Sequence, residues 1–276
     1  MYVYLIPKGG FNDILCVIYK ALEYCKKYNR ILLIDTVNSH YKINFSDYFY
    51  LKNYDTITNI NKIREICQSV ETAYPEGIKK DLINIVNGKY KLPFPYSYHN
   101  TEFKLPDEIR NENIIVHCTC GGGDGYKLFE NLEVKPIIRK ICYERYNQLT
   151  KPYLCLQVRN TDYTCDYEKL YNENKNIIES YKCVYLATDD KNMINYFKSK
   201  KINVINFTTF REDKGNLHTS NINPHTKILD LMADIYIIAM SDKLISNSIG
   251  GFIKLVQKCH QNKKEIIKKF EFLEES

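Results

Sequence analysis

The order of elements predicts an α/β protein built from parallel sheets in two Rossmann-like lobes. Three observations carry this. Short, largely apolar runs recur along the chain (VYLI, ILLI, NIIVHCT, YLCLQV, VYLA, KLIS), with the length and β-branched content of buried strands. Segments with apolar residues at helical spacing lie between them. The runs end in glycine or polar turns: PKGG, GGGDG, RNTD, TDD and SNSIGG. Strand, loop, helix and strand in repetition mark an open, doubly wound sheet. At about 150 residues per domain, the 276 residues suggest two lobes with a cleft, residues 1–150 and 151–276.

The first lobe opens with a strand at Val3–Ile6, the turn Pro7-Lys8-Gly9-Gly10, a helix over 14–28 and a strand at Ile31–Ile34, which is a βαβ unit. Residues 40–112 are polar and rich in tyrosine, with one helix expected near 60–72 and a loop at Pro93 and Pro95. A strand over Asn113–Thr119 runs into Gly121–Gly125, and Pro136–Leu149 reads as a connecting helix. The second lobe is expected as strand 153–158, helix 167–180, strand 184–187, helix 192–200, strand 203–207, helix 226–240, strand 243–246 and helix 250–259. A charged helical or frayed tail follows from Lys263.

Composition narrows the function classes. The hydrophobic set is 44% of the chain and the charged set 26%, values of a globular protein. The net charge of +6 favours anionic partners without demanding nucleic acid. Ten cysteines stand singly in apolar segments, as reduced core cysteines do. MYVYLIPKGG lacks the apolar core and small-residue cleavage site of a signal peptide. The longest apolar stretch, Ile228–Met240, is broken by Asp230 and Asp234, so no transmembrane segment is expected. A cytoplasmic location follows as the expectation.

In open α/β sheets ligands bind beyond the carboxyl ends of the strands, so the residues just past each strand carry functional weight. Arg159 follows YLCLQV, where a guanidinium can hold a phosphate or pair with Asp162. Ser246-Asn247-Ser248-Ile249-Gly250-Gly251 offers hydroxyls and helix N-terminal amides, an anion site or an ordinary cap. Asp189 and Asp190 follow VYLA, and one is expected to cap the next helix. Asp234 is a carboxylate on an apolar helix, which needs donors; Asp230, one turn away, competes for that role. Gly9-Gly10 lacks the full G-x-G-x-x-G pattern and no P-loop run is present. His117, Cys118 and Cys120 have no second ligand pair, so no metal is expected. There is no G-x-S-x-G elbow and no RNA-binding aromatic pattern.

These motifs together resemble the fucosyltransferase superfamily that includes the alpha-1,6-, alpha-1,2- and protein O-fucosyltransferases. The likeness rests on YLCLQVRNTDY (153–163), VYLATDD (184–190), ILDLMADIYIIAMSDKLISNSIGGF (228–252) and, more weakly, GGFND near the start. It implies a GT-B-like fold with the donor GDP-fucose held by residues 151–276 and a glycan acceptor approaching residues 1–150, without metal or cofactor. By this likeness Arg159 meets the β-phosphate, Asp234 recognises guanine, and Ser246 and Ser248 belong to the phosphate segment. Asp189 and Asp190 shape the site, and Gly10 and Asn12 lie near donor and acceptor. Asp166 and Asp13 compete as the catalytic base. Two departures stand out: Gln157 replaces the family's histidine, and Asn160 stands where two branches carry a second arginine. The expected activity is inverting transfer of fucose to a hydroxyl. Rival readings are a glycosyltransferase using another nucleotide sugar and a non-catalytic nucleotide- or glycan-binding protein.

Overall fold

The computed structural model describes residues 1–90, 92, 96–160, 164–210 and 217–271. The loop expected at Pro93 and Pro95, the partner Asp162 and the end of the tail lie outside the described residues. The chain divides into two units, Met1–Glu133 and Val134–Ser276.

The first unit holds β1 (Tyr2–Lys8), α1 (Phe11–Tyr28), β2 (Ile31–Ile34), β3 (Phe49–Leu51), β4 (Thr56–Ile57), α2 (Ile60–Ser69), β5 (Ala73–Tyr74), α3 (Leu82–Val86), β6 (Ser97–Tyr98), β7 (Thr101–Glu102), β8 (Ile114–Cys120) and α4 (Tyr126–Phe129). β9 (Leu132–Val134) spans the division. Its main sheet is parallel, in the order β4-β2-β1-β8-β5. β1 sits in the middle because Val3–Ile6 are apolar without interruption and buried on both faces. α1 turns Ile14, Leu15, Val17, Ile18, Ala21, Leu22 and Cys25 inward, and Asn29 ends it in the left-handed conformation (φ 49°). One side of the sheet packs Tyr4, Ile6, Leu33, Ile114 and Val116 against Ile63, Cys67, Leu82 and Ile85 of α2 and α3.

The second unit holds α5 (Pro136–Asn147), β10 (Leu154–Val158), α6 (Tyr167–Ser180), β11 (Val184–Thr188), α7 (Lys191–Ser199), β12 (Val204–Ile205), α8 (Pro224–Met240), β13 (Lys243–Ser246), α9 (Gly251–Gln261) and α10 (Lys263–Phe270). Its sheet is also parallel, in the order β12-β11-β10-β13. The α/β class read from the sequence is the class observed. α8 starts where Asn223 accepts from the amides of His225 and Thr226, with Pro224 in its first turn. Leu154, Leu156, Val158, Val184 and Leu186 pack with Leu170, Ile178, Met193 and Phe197 of α6 and α7. No helix among the described residues is long and apolar enough to cross a membrane.

Leu156 is fully buried at the centre of the second sheet. Leu156→Ala is expected to cost about 3 kcal/mol of unfolding free energy in a urea titration of the second unit's transition. A loss below about 1 kcal/mol would show that β10 is not the packing centre of that sheet.

Candidate functional site

In the second unit the chain adds β11 and β12 on one side of β10 and then crosses to β13 on the other. The carboxyl ends of β10 and β13 therefore flank a topological switch point, where such sheets open to ligands. Arg159 and Asn160 leave β10 at this place. On the β13 side, Ser246 donates to Gln157 Oε1 (2.7 Å) and its Oγ accepts from the Ser248 amide (3.1 Å). Ser248 Oγ then accepts from the Arg159 amide (3.3 Å).

Gly250 is the N-cap of α9, with no side chain capping the helix. A Cβ on Gly250 would lie 3.1 Å from Arg159 Nη1, so the glycine lets the guanidinium rest against the start of the helix. The first amides of α9 carry partial positive charge. Arg159 and these amides together make a site for an anion with several oxygens.

On the β11 side, Asp189 Oδ1 accepts from the Asn160 amide (2.7 Å) and Asp190 Oδ2 accepts from Asn160 Nδ2 (2.6 Å). Asp190 also caps α7 through the Asn192 amide (2.9 Å), and Asn160 Oδ1 accepts from the Cys165 amide (2.8 Å). The two carboxylates thus hold the loop after β10. Asp166 is exposed and caps α6 by accepting from the Lys169 amide (2.9 Å).

Asp234 lies in a second cluster of the same unit. It accepts from the Tyr185 hydroxyl and from Thr208 Oγ1 (3.4 Å). Burial pushes its acid up to about 7; the Tyr185 hydroxyl opposes the shift, Asp230 adds to it, and Arg145 and Thr208 oppose it. Asp230, the competitor named above, is engaged elsewhere: it pairs with Arg145 Nη2 (2.6 Å) and accepts from the Thr209 amide (2.8 Å). Phe207 lies against Tyr185 with ring centroids 5.9 Å apart and ring planes tilted by 34°. A carboxylate, two hydroxyls and an aromatic ring are the elements that a purine with ring and exocyclic N–H groups would use.

In the first unit the switch point falls between β1 and β8, where the chain order reverses. Gly10 caps α1 and its amide donates to Asp13 Oδ2 (3.1 Å). Asn12 is buried and fastens the second glycine turn: Nδ2 donates to the Gly123 carbonyl (3.3 Å) and Oδ1 accepts from the Gly125 amide (3.1 Å). The Gly9 amide donates to His40 Nδ1 (3.0 Å). Gly9 needs its glycine, since φ is +95° and a Cβ would meet Cys120 Sγ at 2.6 Å. His117 is buried with Nδ1 2.7 Å from the Phe103 carbonyl, and burial pushes its conjugate acid down to about 4. Among the described residues no three His, Cys, Asp or Glu side chains are grouped to hold a metal ion.

Sequence reasoning missed Tyr185, Thr208, Arg145 and His40. A tyrosine inside a buried strand needs a partner for its hydroxyl, so Tyr185 could have been matched with Asp234. His40 sits in a polar segment that offered no such signal.

Solved structures resemble the chain over nearly its whole length. NodZ alpha-1,6-fucosyltransferase soaked with GDP-fucose superposes with a TM-score of 0.64 at 17% identity, covering 93% of this chain and 91% of that one. The fucosyltransferase NodZ from Bradyrhizobium gives 0.62 at 17% identity, covering 92% and 91%. POFUT1 in complex with GDP-fucose gives 0.56 at 13% identity, covering 94% and 93%. The chain has the fold of these fucosyltransferases. No family model and no curated protein sequence matches it.

The Asp234 shift has a stability consequence. A carboxylate raised to about 7 in the folded chain and near 4 when unfolded favours folding fully below the lower value. That contribution is lost as pH rises through the upper one. Asp234→Asn, which still accepts from Tyr185, is expected to leave the unfolding free energy at pH 4 nearly unchanged and to raise it at pH 8 by on the order of 2–4 kcal/mol. Equal shifts at both pH values would refute the perturbed carboxylate.

Proposed function

We propose that the chain is a glycosyltransferase that takes GDP-fucose as donor and moves fucose, with inversion and without metal, to a hydroxyl of a glycan acceptor. The observation that supports this best is Arg159 against the uncapped start of α9 at a sheet switch point, in a fold shared with enzymes of that name. In this reading the diphosphate is bound by Arg159, the Ser248 hydroxyl and the first amides of α9. The guanine meets Asp234, whose ionised carboxylate accepts from the base's ring and amino N–H groups. Asp189 and Asp190 keep Asn160, and with it Arg159, in place.

Bond breaking at the sugar sends negative charge onto the leaving diphosphate. A preorganised guanidinium and helix amides stabilise that charge more in the transition state than in the ground state. The acceptor hydroxyl loses its proton to a carboxylate as it attacks. Asp13 and Asp166 are the two candidates, and each accepts from a backbone amide.

Arg159→Ala is expected to lower kcat/KM for transfer by about 100- to 1,000-fold, with the fold retained by circular dichroism. Near-normal transfer would remove the assignment. Between the carboxylates, the base is expected to lose about 100- to 10,000-fold in kcat on change to Asn, and the other to lose less than about tenfold. Comparable small losses in both variants would mean that neither takes the proton.

Thermal unfolding with GDP, UDP and ADP separates donors. At 100 times its dissociation constant a bound nucleotide adds about 2.7 kcal/mol, and GDP alone is expected to do so. Stabilisation by UDP or ADP but not GDP would assign the protein to another nucleotide sugar. Because guanine requires Asp234 ionised, GDP affinity is expected to rise between pH 6 and pH 8 and to be flat across that range in Asp234→Asn.

A further inference from the structure

We infer that Gln157 is a positioning residue for Arg159, acting through Ser246 and Ser248. This rests on the proposed donor site and names what holds its guanidinium in register.

Arg159 lies just beyond the sheet. The β10–β13 ladder ends at Gln157 opposite Ser246, and the β10–β11 ladder ends at Val158 opposite Thr188. No strand pairing therefore fixes the residue that carries the charge. A side-chain relay replaces it. Gln157 is 6% exposed and its Oε1 accepts from the Ser246 hydroxyl at 2.7 Å. With that proton committed, Ser246 Oγ accepts from the Ser248 amide at 3.1 Å. This sets the backbone of the turn before α9. Ser248 Oγ then accepts the Arg159 amide at 3.3 Å. The relay leaves β10 at Gln157, crosses to β13 and returns to β10's own chain two residues later.

The order of donors matters. An amide oxygen can only accept, so Gln157 fixes which way the Ser246 proton points. A hydroxyl that turned toward Ser248 instead could not receive the Ser248 amide on the same lone pair. The turn holding Gly250 would then lose the contact that lets Arg159 Nη1 approach α9. Linked hydrogen bonds of this kind act as a unit. Gln157 touches no ligand in this scheme; its effect reaches the anion through the Ser248 turn and the Arg159 backbone that the turn holds.

The test is a double-mutant cycle on GDP affinity, read by isothermal titration calorimetry on the full chain. Gln157→Met removes the acceptor at similar length, and Ser246→Ala breaks the next link. Each is expected to weaken GDP binding about five- to tenfold in the parent chain. In the Arg159→Ala background Gln157→Met is expected to change affinity less than about twofold, because the guanidinium, the main group it positions, is gone. The Gln157→Met, Ser246→Ala double variant is expected to be no weaker than the worse single one. An equal loss from Gln157→Met in both backgrounds would show a general structural effect and overturn the inference. So would undiminished GDP binding in Gln157→Met or, should that variant not fold, in Ser246→Ala. If GDP fails to bind the parent chain, the donor site itself falls; if it binds and ignores Gln157, only the relay does.

Discussion

Two positive features meet at Gly250: the guanidinium of Arg159 and the amide end of α9. Left to themselves they repel, and no side chain caps the helix. The absence of a Cβ allows the approach, and the serine relay keeps the backbone of Arg159 where the approach occurs. A di-anionic group is what such an arrangement stabilises most, because it satisfies the helix amides and the guanidinium together. The positions of Asn160, Asp189 and Asp190 serve the same end from the opposite side, tying the loop after β10 to the loop after β11.

The polar stripe on α8 has a different logic. Lys227, Asp230 and Asp234 fall on one side of an otherwise apolar helix, and each fastens part of the segment that follows β12. Lys227 Nζ donates to the carbonyls of His218 (3.2 Å) and Ser220 (3.0 Å). Asp230 takes the Thr209 amide and Asp234 the Thr208 hydroxyl. A buried pair such as Arg145 with Asp230 adds little net stability over an apolar substitute, yet losing one partner costs about 3–5 kcal/mol. Its value lies in fixing where the chain runs. Phe207 lies against Tyr185 and Thr208 reaches the carboxylate of Asp234, so this polar cluster is assembled from α8, β11 and the segment that follows β12.

Much of the second unit was legible in the sequence. Its central strands β10 and β11 are buried on both faces and read as largely apolar runs, and Tyr167–Ser180 and Lys243–Ser246 fall where periodicity places them. Residues 40–112 were not legible for a physical reason. β4, β5, β6 and β7 are two residues each, and most of those residues are partly or fully exposed, too little for a repeating pattern to form. Arg159 was found from its place after a strand, and Asp234 from the cost of a carboxylate on an apolar helix. The partners of Asp234 escaped because Tyr185 and Asp234 are 49 residues apart, and only the fold brings them together.

Gly9-Gly10 before α1 and Gly250-Gly251 at α9 are Gly-Gly pairs at the starts of long helices, and the same local pattern has opposite outcomes. At α1 the third helical residue is Asp13. Its carboxylate takes the Gly10 amide and puts negative charge in the first turn, while His40 takes the Gly9 amide. The helix end is thereby capped and made unfavourable to an anion. At α9 the corresponding residue is Ile253, the first turn has no acid, and no side chain caps the helix. The neighbour there is Arg159 rather than a carboxylate. A diphosphate offered both ends would therefore choose α9 on electrostatic grounds alone. Gly10 and Asn12 then serve to shape the first unit's switch point, with the carboxylate of Asp13 held there by the Gly10 amide, a setting suited to a neutral hydroxyl rather than to a phosphate.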